Sequence, residues 1–239
     1  QLTLKRPQQN GSHYKINYIM SRRSLNQTEK RKNPATKFLE WKSKEKCFEY
    51  WDKSQSANVK VEPPFKFMFL EHFHTIKGWH DASSSRIYSN EVKFIGKESV
   101  KVKSFKGGDI VDGIYKDIRL KILDAGGKYH RSVYVVDANG EIINLQLKGA
   151  VVAAYSDFLN ENENKVEGNW CEINTITDHK KGATKYSTPD FTIGKAFTKA
   201  EMALANEKYL DIVKHFESVT AKSEVEHVEE EVVEDDIAF

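Results

Sequence analysis

The stretch KYHRSVYVVDANGEIINLQLK, residues 128–148, predicts a β-hairpin whose register can be counted. Two runs rich in β-branched and aromatic residues flank Asn139-Gly140, a dipeptide typical of type I′ turns because both residues tolerate φ > 0. A two-residue loop at that turn, counted outward, places Arg131 directly opposite Lys148. Like charges that face each other destabilise a strand pair. This register therefore predicts either an anion such as a phosphate between the two side chains, or two side chains that turn into water.

The chain around this hairpin is typical of a mainly β protein of the α+β class. Short runs rich in aromatic and β-branched residues, separated by Gly, Asn and Lys clusters, favour an antiparallel barrel or sandwich over residues 37–197. The run FKFMFLEHF, residues 65–73, is apolar on both faces and predicts a central strand. Apolar repeats at three- and four-residue spacing predict three helices, over residues 109–125, 151–159 and 198–216.

Charge is distributed unevenly along the chain, although the net charge of all 239 residues is only +2. Residues 1–46 hold twelve Lys/Arg and three Asp/Glu, giving +9, and residues 224–239 hold eight acids without a base, giving −8. We therefore expect four regions: a basic arm at 1–36, the β-rich domain at 37–197, a C-terminal helix at 198–216 and a disordered acidic tail at 217–239. The arm would bind a polyanion and the tail would mimic one; alternatively, both only solvate the chain.

Composition argues against several classes of protein. Cys47 and Cys171 lie far apart and form no CxxC motif, which argues against a disulfide framework or a zinc ribbon. The sequence has no run approaching the roughly 18 apolar residues of a membrane span, and its first residues lack the apolar stretch of a signal peptide. It has no GxxxxGK(S/T) or GxGxxG motif for nucleotide hydrolysis or dinucleotide chemistry. We expect a soluble, cytoplasmic protein with no membrane partner, cofactor or metal.

Aromatic rings beside cations give the clearest indication of a ligand. Four rings are each flanked by polar or charged residues: Trp41, Tyr50, Trp79 and Tyr88. The run SVKVKSF alternates strictly, so Lys101, Lys103 and Phe105 share one strand face. The bases of single-stranded nucleic acid stack on such rings while nearby lysines contact the phosphates. The sequence therefore predicts a nucleic-acid-binding surface, although each ring taken singly also fits packing.

Two patterns favour metal chemistry instead. Three histidines lie close together and are of the type that binds zinc: His72, His74 and His80. Asp81 followed by Glu91-Val92-Lys93 has the form D…ExK, in which carboxylates hold Mg²⁺ and a lysine steadies the water that attacks a phosphodiester. A metal-dependent nuclease or resolvase using Asp81, Glu91 and Lys93 is therefore an alternative to a non-enzymatic binding protein.

The sequence finishes on Asp235-Asp236-Ile237-Ala238-Phe239, which resembles the acidic D-D-I-P-F tip of bacterial single-stranded DNA-binding proteins. Their phage counterparts also finish on acids followed by Phe. This tip departs from the pattern at Ala238, where the family has Pro. The resemblance implies that Asp235, Asp236, Ile237 and Phe239 bind replication or recombination proteins, with the charges setting the on-rate and the aromatic ring the residence time.

A longer stretch, roughly residues 37–150 from KFLEWKSKEKCFEYWDK to GEIINLQLKG, resembles the central part of tailed-phage proteins assigned to single-stranded DNA binding. The resemblance implies an OB-type barrel that binds single-stranded DNA without sequence preference in replication, recombination or repair inside a bacterial host cell. Five rings would stack on bases: Trp41, Tyr50, Trp79, Tyr88 and Phe105. Six cations would contact phosphates: Arg86, Lys93, Lys101, Lys103, Arg131 and Lys148.

Two questions stay open at this level. The helix at 198–216 is expected to pack its apolar stripe on the body of the protein or on a second copy, which would form a homodimer. An adaptor that acts only through its acidic tail, without affinity for DNA, is a third reading of the sequence.

Overall fold

The structure, a computed structural model, describes the backbone of residues 32–234 and the side chains of residues 32–219. Lys32–Glu217 form one compact unit. Most of the predicted basic arm therefore lies outside the described residues. So do the four predicted partner-binding residues of the tip: Asp235, Asp236, Ile237 and Phe239.

The described residues form eleven strands and three helices, which confirms the prediction of a mainly β protein with helices. In chain order they are β1 (Lys37–Lys42), β2 (Cys47–Asp52), β3 (Ala57–Val61), β4 (Phe65–His80), β5 (Ser85–Ser89), β6 (Ser99–Ser104), β7 (Gly108–Ile114), α1 (Tyr115–Asp124), β8 (Gly127–Asp137), β9 (Ile142–Lys148), α2 (Ala150–Asn162), β10 (Asn169–Lys181), β11 (Thr184–Ala196) and α3 (Lys199–Glu234).

All eleven strands belong to one mixed sheet, ordered β3-β2-β1-β9-β8-β4-β5-β6-β7, with β10 pairing with β11 and with the start of β4. The sequence predicted an antiparallel barrel or sandwich, but β1 runs parallel to β9. The Nζ atom of Lys77 on β4 lies 5.6 Å from the ring centroid of Phe38 on β1, although β8 and β9 lie between these strands. Through the pairs Phe38–Asn144, Asn144–Tyr134 and Tyr134–Glu71, Phe38 is level with Glu71. Along the sheet, three strand spacings of about 4.8 Å and six residues of about 3.3 Å each therefore separate Phe38 from Lys77, more than the two side chains can span on a flat sheet. The sheet is therefore concave on the face that carries both side chains.

The hairpin of β8 and β9 forms as predicted, but its register differs by one residue. Arg131 pairs with Leu147 and His130 with Lys148, so Arg131 and Lys148 lie on opposite faces of the sheet and the predicted anion between them is wrong. The loop has three residues rather than two because the Asp137 carboxylate caps it. Its Oδ1 accepts hydrogen bonds from the N–H groups of Asn139 and Glu141, both at 2.9 Å, and Gly140 takes up the left-handed conformation at φ 81°.

The first helix is shorter than predicted. Residues 109–114, expected to open it, belong to β7 and pair with β6, so α1 begins at Tyr115. The predicted apolar positions Ile118 and Ile122 are buried and attach α1 to the sheet. The second helix, α2, lies where it was predicted and buries Val151, Tyr155 and Phe158.

The third helix is longer than predicted. A capping box begins it, because Thr198 N–H donates to Glu201 Oε2 at 2.7 Å and Glu201 N–H donates to Thr198 Oγ1 at 3.3 Å. α3 continues to Glu234, so residues 217–234, predicted to be disordered, are helical. The sequence there has strong helix formers and no Gly or Pro, which explains why the helix does not stop at the end of its apolar stripe.

Each helix covers a separate part of the core. α2 packs on a cluster that includes Phe67. α3 packs through Ala205 and Ile212 on a second cluster. α1 packs on a third, which it forms with residues of β4, β5 and β6. β4 supplies residues to all three clusters: Phe67 to the first, Met68, Leu70 and Phe73 to the second, and Ile76 to the third. The predicted central strand with two apolar faces is therefore confirmed.

Candidate nucleic-acid interface

The candidate interface lies on β4, β5 and β6, where the sheet has one covered and one open face. Ile87 on β5 and Val100 and Val102 on β6 are buried against Ile118 and Ile122 of α1. Because successive strand residues point to opposite faces, the residues between these apolar ones point away from α1. Burial alternates accordingly along both strands.

The open face alternates rings and cations both along and across the strands. Trp79 on β4 pairs with Arg86 on β5, and the N–H of Phe105 donates to the carbonyl oxygen of Arg86 at 2.9 Å. In the next row Lys128 pairs with Lys77, Lys77 with Tyr88, and Tyr88 with Lys103. We call the following set the ring-and-cation face: Trp79, Tyr88, Phe105, Lys77, Arg86, Lys103 and Lys128.

The three rings of this face are unusually open to solvent for large aromatic side chains. Trp79 is 51% exposed, Tyr88 45% and Phe105 75%. Rings of this size bury most of their surface in a protein core, and a group of them left in water marks an interaction surface. About half or more of each ring side chain is therefore available for contact with a ligand.

The electrostatics of the face are mostly cationic. Burial lowers the pKa of Lys77, while the nearby carboxylates Glu91 and Glu40 act in the opposite direction. Lys103 forms an ion pair with Asp109 on β7 at 2.8 Å, and the Asp109 carboxylate is largely exposed. Exposed ion pairs of this kind contribute about 0–1 kcal/mol, so a phosphate can compete for the lysine.

Three of the five predicted rings and three of the six predicted cations meet on the part of this side that β4, β5 and β6 form. Trp79, Tyr88 and Phe105 lie there with Arg86, Lys101 and Lys103. These residues share one side because side chains alternate along a strand, a pattern that is visible in the sequence of β6. The pairing of β5 with β4 and β6 brings the residues of all three strands together.

The other predicted site residues lie elsewhere. Trp41 is only 4% exposed, packs in the core under α2 and donates from Nε1 to the carbonyl oxygen of Ser187 at 2.9 Å, so its predicted stacking role is wrong. Tyr50 is half-buried against the same core. Arg131 points to the opposite face. Lys93 forms an ion pair with Glu71 at 2.6 Å, apart from the ring-and-cation face.

Sequence reasoning missed two cations of this row: Lys77, and Lys128 at its end. Lys77 stands two residues before Trp79, and strand alternation alone would have placed both on one face. Lys128 could not be placed from its neighbours in sequence, because it reaches the site through the pairing of β8 with β4.

A contact between two glycines fixes the backbone beneath Trp79. Gly126 has φ +90°, and a Cβ atom there would lie 2.2 Å from the carbonyl oxygen of Trp79. A Cβ atom on Gly78 would lie 2.2 Å from the carbonyl oxygen of Gly126. The backbone after α1 therefore approaches β4 more closely than any residue type other than glycine would permit at Gly126 and Gly78.

The residues of the nuclease alternative are not gathered into one site. Asp81 lies in the turn that joins β4 and β5, whereas Glu91 and Lys93 follow β5 at the opposite end of that hairpin. Glu91 accepts a hydrogen bond from Tyr134 at 2.7 Å. Across the part of the chain that the structure describes, no group of three or more His, Cys, Asp or Glu side chains is arranged to hold a metal ion.

Two of the three histidines considered as metal ligands have pKa values well below the usual value for histidine. Burial, together with Arg131, lowers the pKa of both His72 and His74 to about 4. His74 Nδ1 also lies 2.6 Å from the hydroxyl of Tyr129. Both imidazoles are therefore neutral at pH 7, while Glu71 near His72 forms an ion pair with Lys93.

We expect this histidine pair to make the protein less stable as the pH falls from 6.5 towards 4. The unfolded state, with a histidine pKa near 6.5, binds protons in that window before the folded state does. The contribution of the pair to the free energy of unfolding is therefore fully present above pH 6.5 and is lost as the pH falls towards 4. Each histidine contributes at most about 1.4 kcal/mol per pH unit, and less for partly exposed rings. Urea unfolding at several pH values measures the slope. A His72→Phe variant with an unchanged slope would contradict the assignment.

Comparison with known proteins gives no relative: no family model, no curated protein and no solved structure matches this chain. Among the described helices, none has both the length and the apolar character needed to cross a membrane.

Proposed function

We propose that this protein binds single-stranded DNA, without sequence preference, through the ring-and-cation face. The observation that carries the proposal is the alternation of three exposed rings with cations at neighbouring register positions of one open sheet face. Each base of a single strand has a flat side that can stack on such a ring, whatever its sequence, while Lys and Arg neutralise the phosphates between the bases.

A single strand suits this face better than a duplex. The bases of a duplex are stacked on one another, and a protein reads them only at their edges in the grooves. Rings that lie among cations on a curved sheet suit a flexible chain of unpaired bases instead. The proposal includes an OB-type barrel as the fold, since a partly open, curved sheet that binds nucleic acid on its surface fits that class.

A titration with oligo-dT tests the proposal directly, because Trp79 is exposed and its fluorescence should change when a base stacks on it. We expect saturable binding that weakens steeply with salt, since a bound strand releases the counterions of every phosphate that the protein neutralises. Absence of binding at low salt would overturn the proposal and favour an adaptor without affinity for DNA.

We expect Arg86→Ala to weaken oligo-dT binding and to flatten its salt dependence. Loss of one phosphate contact should reduce the slope of log K against log salt concentration by about 0.7. Arg119→Ala is the matched control, because Arg119 is an exposed arginine on α1, which covers the opposite face of the same sheet. The slopes come from anisotropy titrations at several salt concentrations. Equal slopes for the two variants would show that Arg86 does not contact phosphate.

A further inference from the structure

Two more exposed rings lie beside the ring-and-cation face. Phe38 on β1 is 41% exposed and Trp51 on β2 is 58% exposed. Resting on the proposed function, we propose that the bound strand continues from Tyr88 and Trp79 over Lys77 to Phe38 and Trp51, so that the site spans the sheet from β6 to β2.

Lys77 connects the two parts of this path. It lies between Lys128 and Tyr88 in the cationic row, and its Nζ atom is 5.6 Å from the ring centroid of Phe38. A cation at this distance from a ring is held by the ring's negative face. The curvature of the sheet thus brings the first ring of the extension next to the central cation of the proposed site.

Trp51 lies on the same side of the sheet as Phe38. Glu40 on β1 pairs with Glu49 on β2; Phe38 lies two residues from Glu40, and Trp51 lies two residues from Glu49. Residues two apart on a strand share a face, so Phe38, Glu40, Glu49 and Trp51 all lie on one side of the sheet. Phe48, the residue directly before Glu49, is buried on the other side.

The charges around these two rings permit a polyanion. Glu40 is 3.3 Å from Lys42 and 3.5 Å from Lys148, and Glu49 is 3.6 Å from Lys42, so neighbouring lysines balance both carboxylates. Lys60 on β3 pairs with Glu49 in the sheet and adds a further exposed cation on this face. Lys148, predicted from sequence as a phosphate contact, belongs to this extension rather than to the ring-and-cation face.

The proposal has a consequence for the length of DNA that the protein prefers. β6 and β4 are two strand spacings apart, about 10 Å, whereas β6 and β2 are six apart, roughly 29 Å along the sheet and less across its concave face. At about 3.4 Å per stacked nucleotide, the short path holds about three nucleotides and the long path up to about eight. Short oligonucleotides should therefore occupy only the ring-and-cation face, and longer ones should also reach Phe38 and Trp51.

The test compares Trp51→Ala with the unaltered protein on two probes, oligo-dT of about 4 and of about 16 nucleotides, the range that single domains of this kind cover. We expect the variant to bind the long probe about 5- to 100-fold more weakly and the short probe with unchanged affinity, because one stacked base contributes about 1–3 kcal/mol. Trp51→Tyr keeps a ring at this position and should retain most of the affinity for the long probe.

Each outcome decides between the two proposals. If the unaltered protein binds neither probe, the proposed function fails. If it binds both and Trp51→Ala leaves both affinities unchanged, or weakens both equally, the proposed function stands and the extension to Trp51 is overturned. Circular dichroism of each variant shows that its fold is intact, and Leu120→Ala on α1 controls for the loss of an exposed apolar side chain.

Discussion

Replacement of Trp79, Tyr88 and Phe105 together by alanine is expected to lower the affinity for oligo-dT by about 100-fold or more. Each stacked base contributes about 1–3 kcal/mol, and a 100-fold change in affinity corresponds to about 2.8 kcal/mol. Three rings at the middle of that range supply about 6 kcal/mol, which leaves room for effects that are not fully additive. All three side chains are solvent-exposed, and their removal should leave the core unchanged. Anisotropy of labelled oligo-dT measures the change without relying on tryptophan fluorescence.

Leu120→Ala is the control for this variant. Leu120 is 72% exposed and belongs to α1, on the side of the sheet that faces away from the three rings. It should bind oligo-dT as the unaltered protein does. A triple variant that binds within about threefold of the unaltered protein would show that the rings do not stack on bases, since even one lost stack costs more than that.

Gly126→Ala is expected to destabilise the folded protein by about 2–5 kcal/mol and to weaken DNA binding as well. An alanine is strained at φ +90°, and its Cβ would lie 2.2 Å from the carbonyl oxygen of Trp79. Backbone strain of this kind costs about 1–3 kcal/mol, and overpacking costs a similar amount. Relief of the clash requires β4 to move away from α1 at Trp79, which displaces the ring. Urea unfolding measures the stability and anisotropy measures the binding.

Gly168→Ala provides the matched comparison for this second prediction. Nothing lies within 4 Å of a Cβ atom at Gly168, so its replacement should change the free energy of unfolding by less than about 1 kcal/mol. Equal stability of the two alanine variants would show that the close approach of Gly126 to β4 is not required for the fold.

Local pattern predicted most of the secondary structure and part of the site. Strict alternation in SVKVKSF placed Lys101, Lys103 and Phe105 on one face, because that property belongs to a single strand. The polar neighbours of Trp41 in sequence suggested exposure, yet the ring is buried, since burial depends on the strands and helices that pack against it from elsewhere in the chain. The exposed ring one position beyond Tyr50, Trp51, was missed for the same reason.

The register of the hairpin shows why turn motifs alone are insufficient. Asn139-Gly140 favours a two-residue loop, but the carboxylate of Asp137 accepts two backbone hydrogen bonds and stabilises a loop of three. A change of one residue in the loop moves every side chain of one strand relative to its partner. This single carboxylate therefore decides that Arg131 and Lys148 do not share a face.

The sixteen residues of β4 run from the core under α2 to the exposed ring of Trp79, with one register shift between Phe69 and Glu71 in their pairing with β8. Lys77 and Gly78, directly before Trp79, pair with β5 on one side and with β8 on the other, so local opening next to the ring would have to break pairs with both neighbours. At the proposed DNA site, a strand paired on both sides would need little ordering on association. Most of the conformational entropy lost on binding would then come from the flexible single strand.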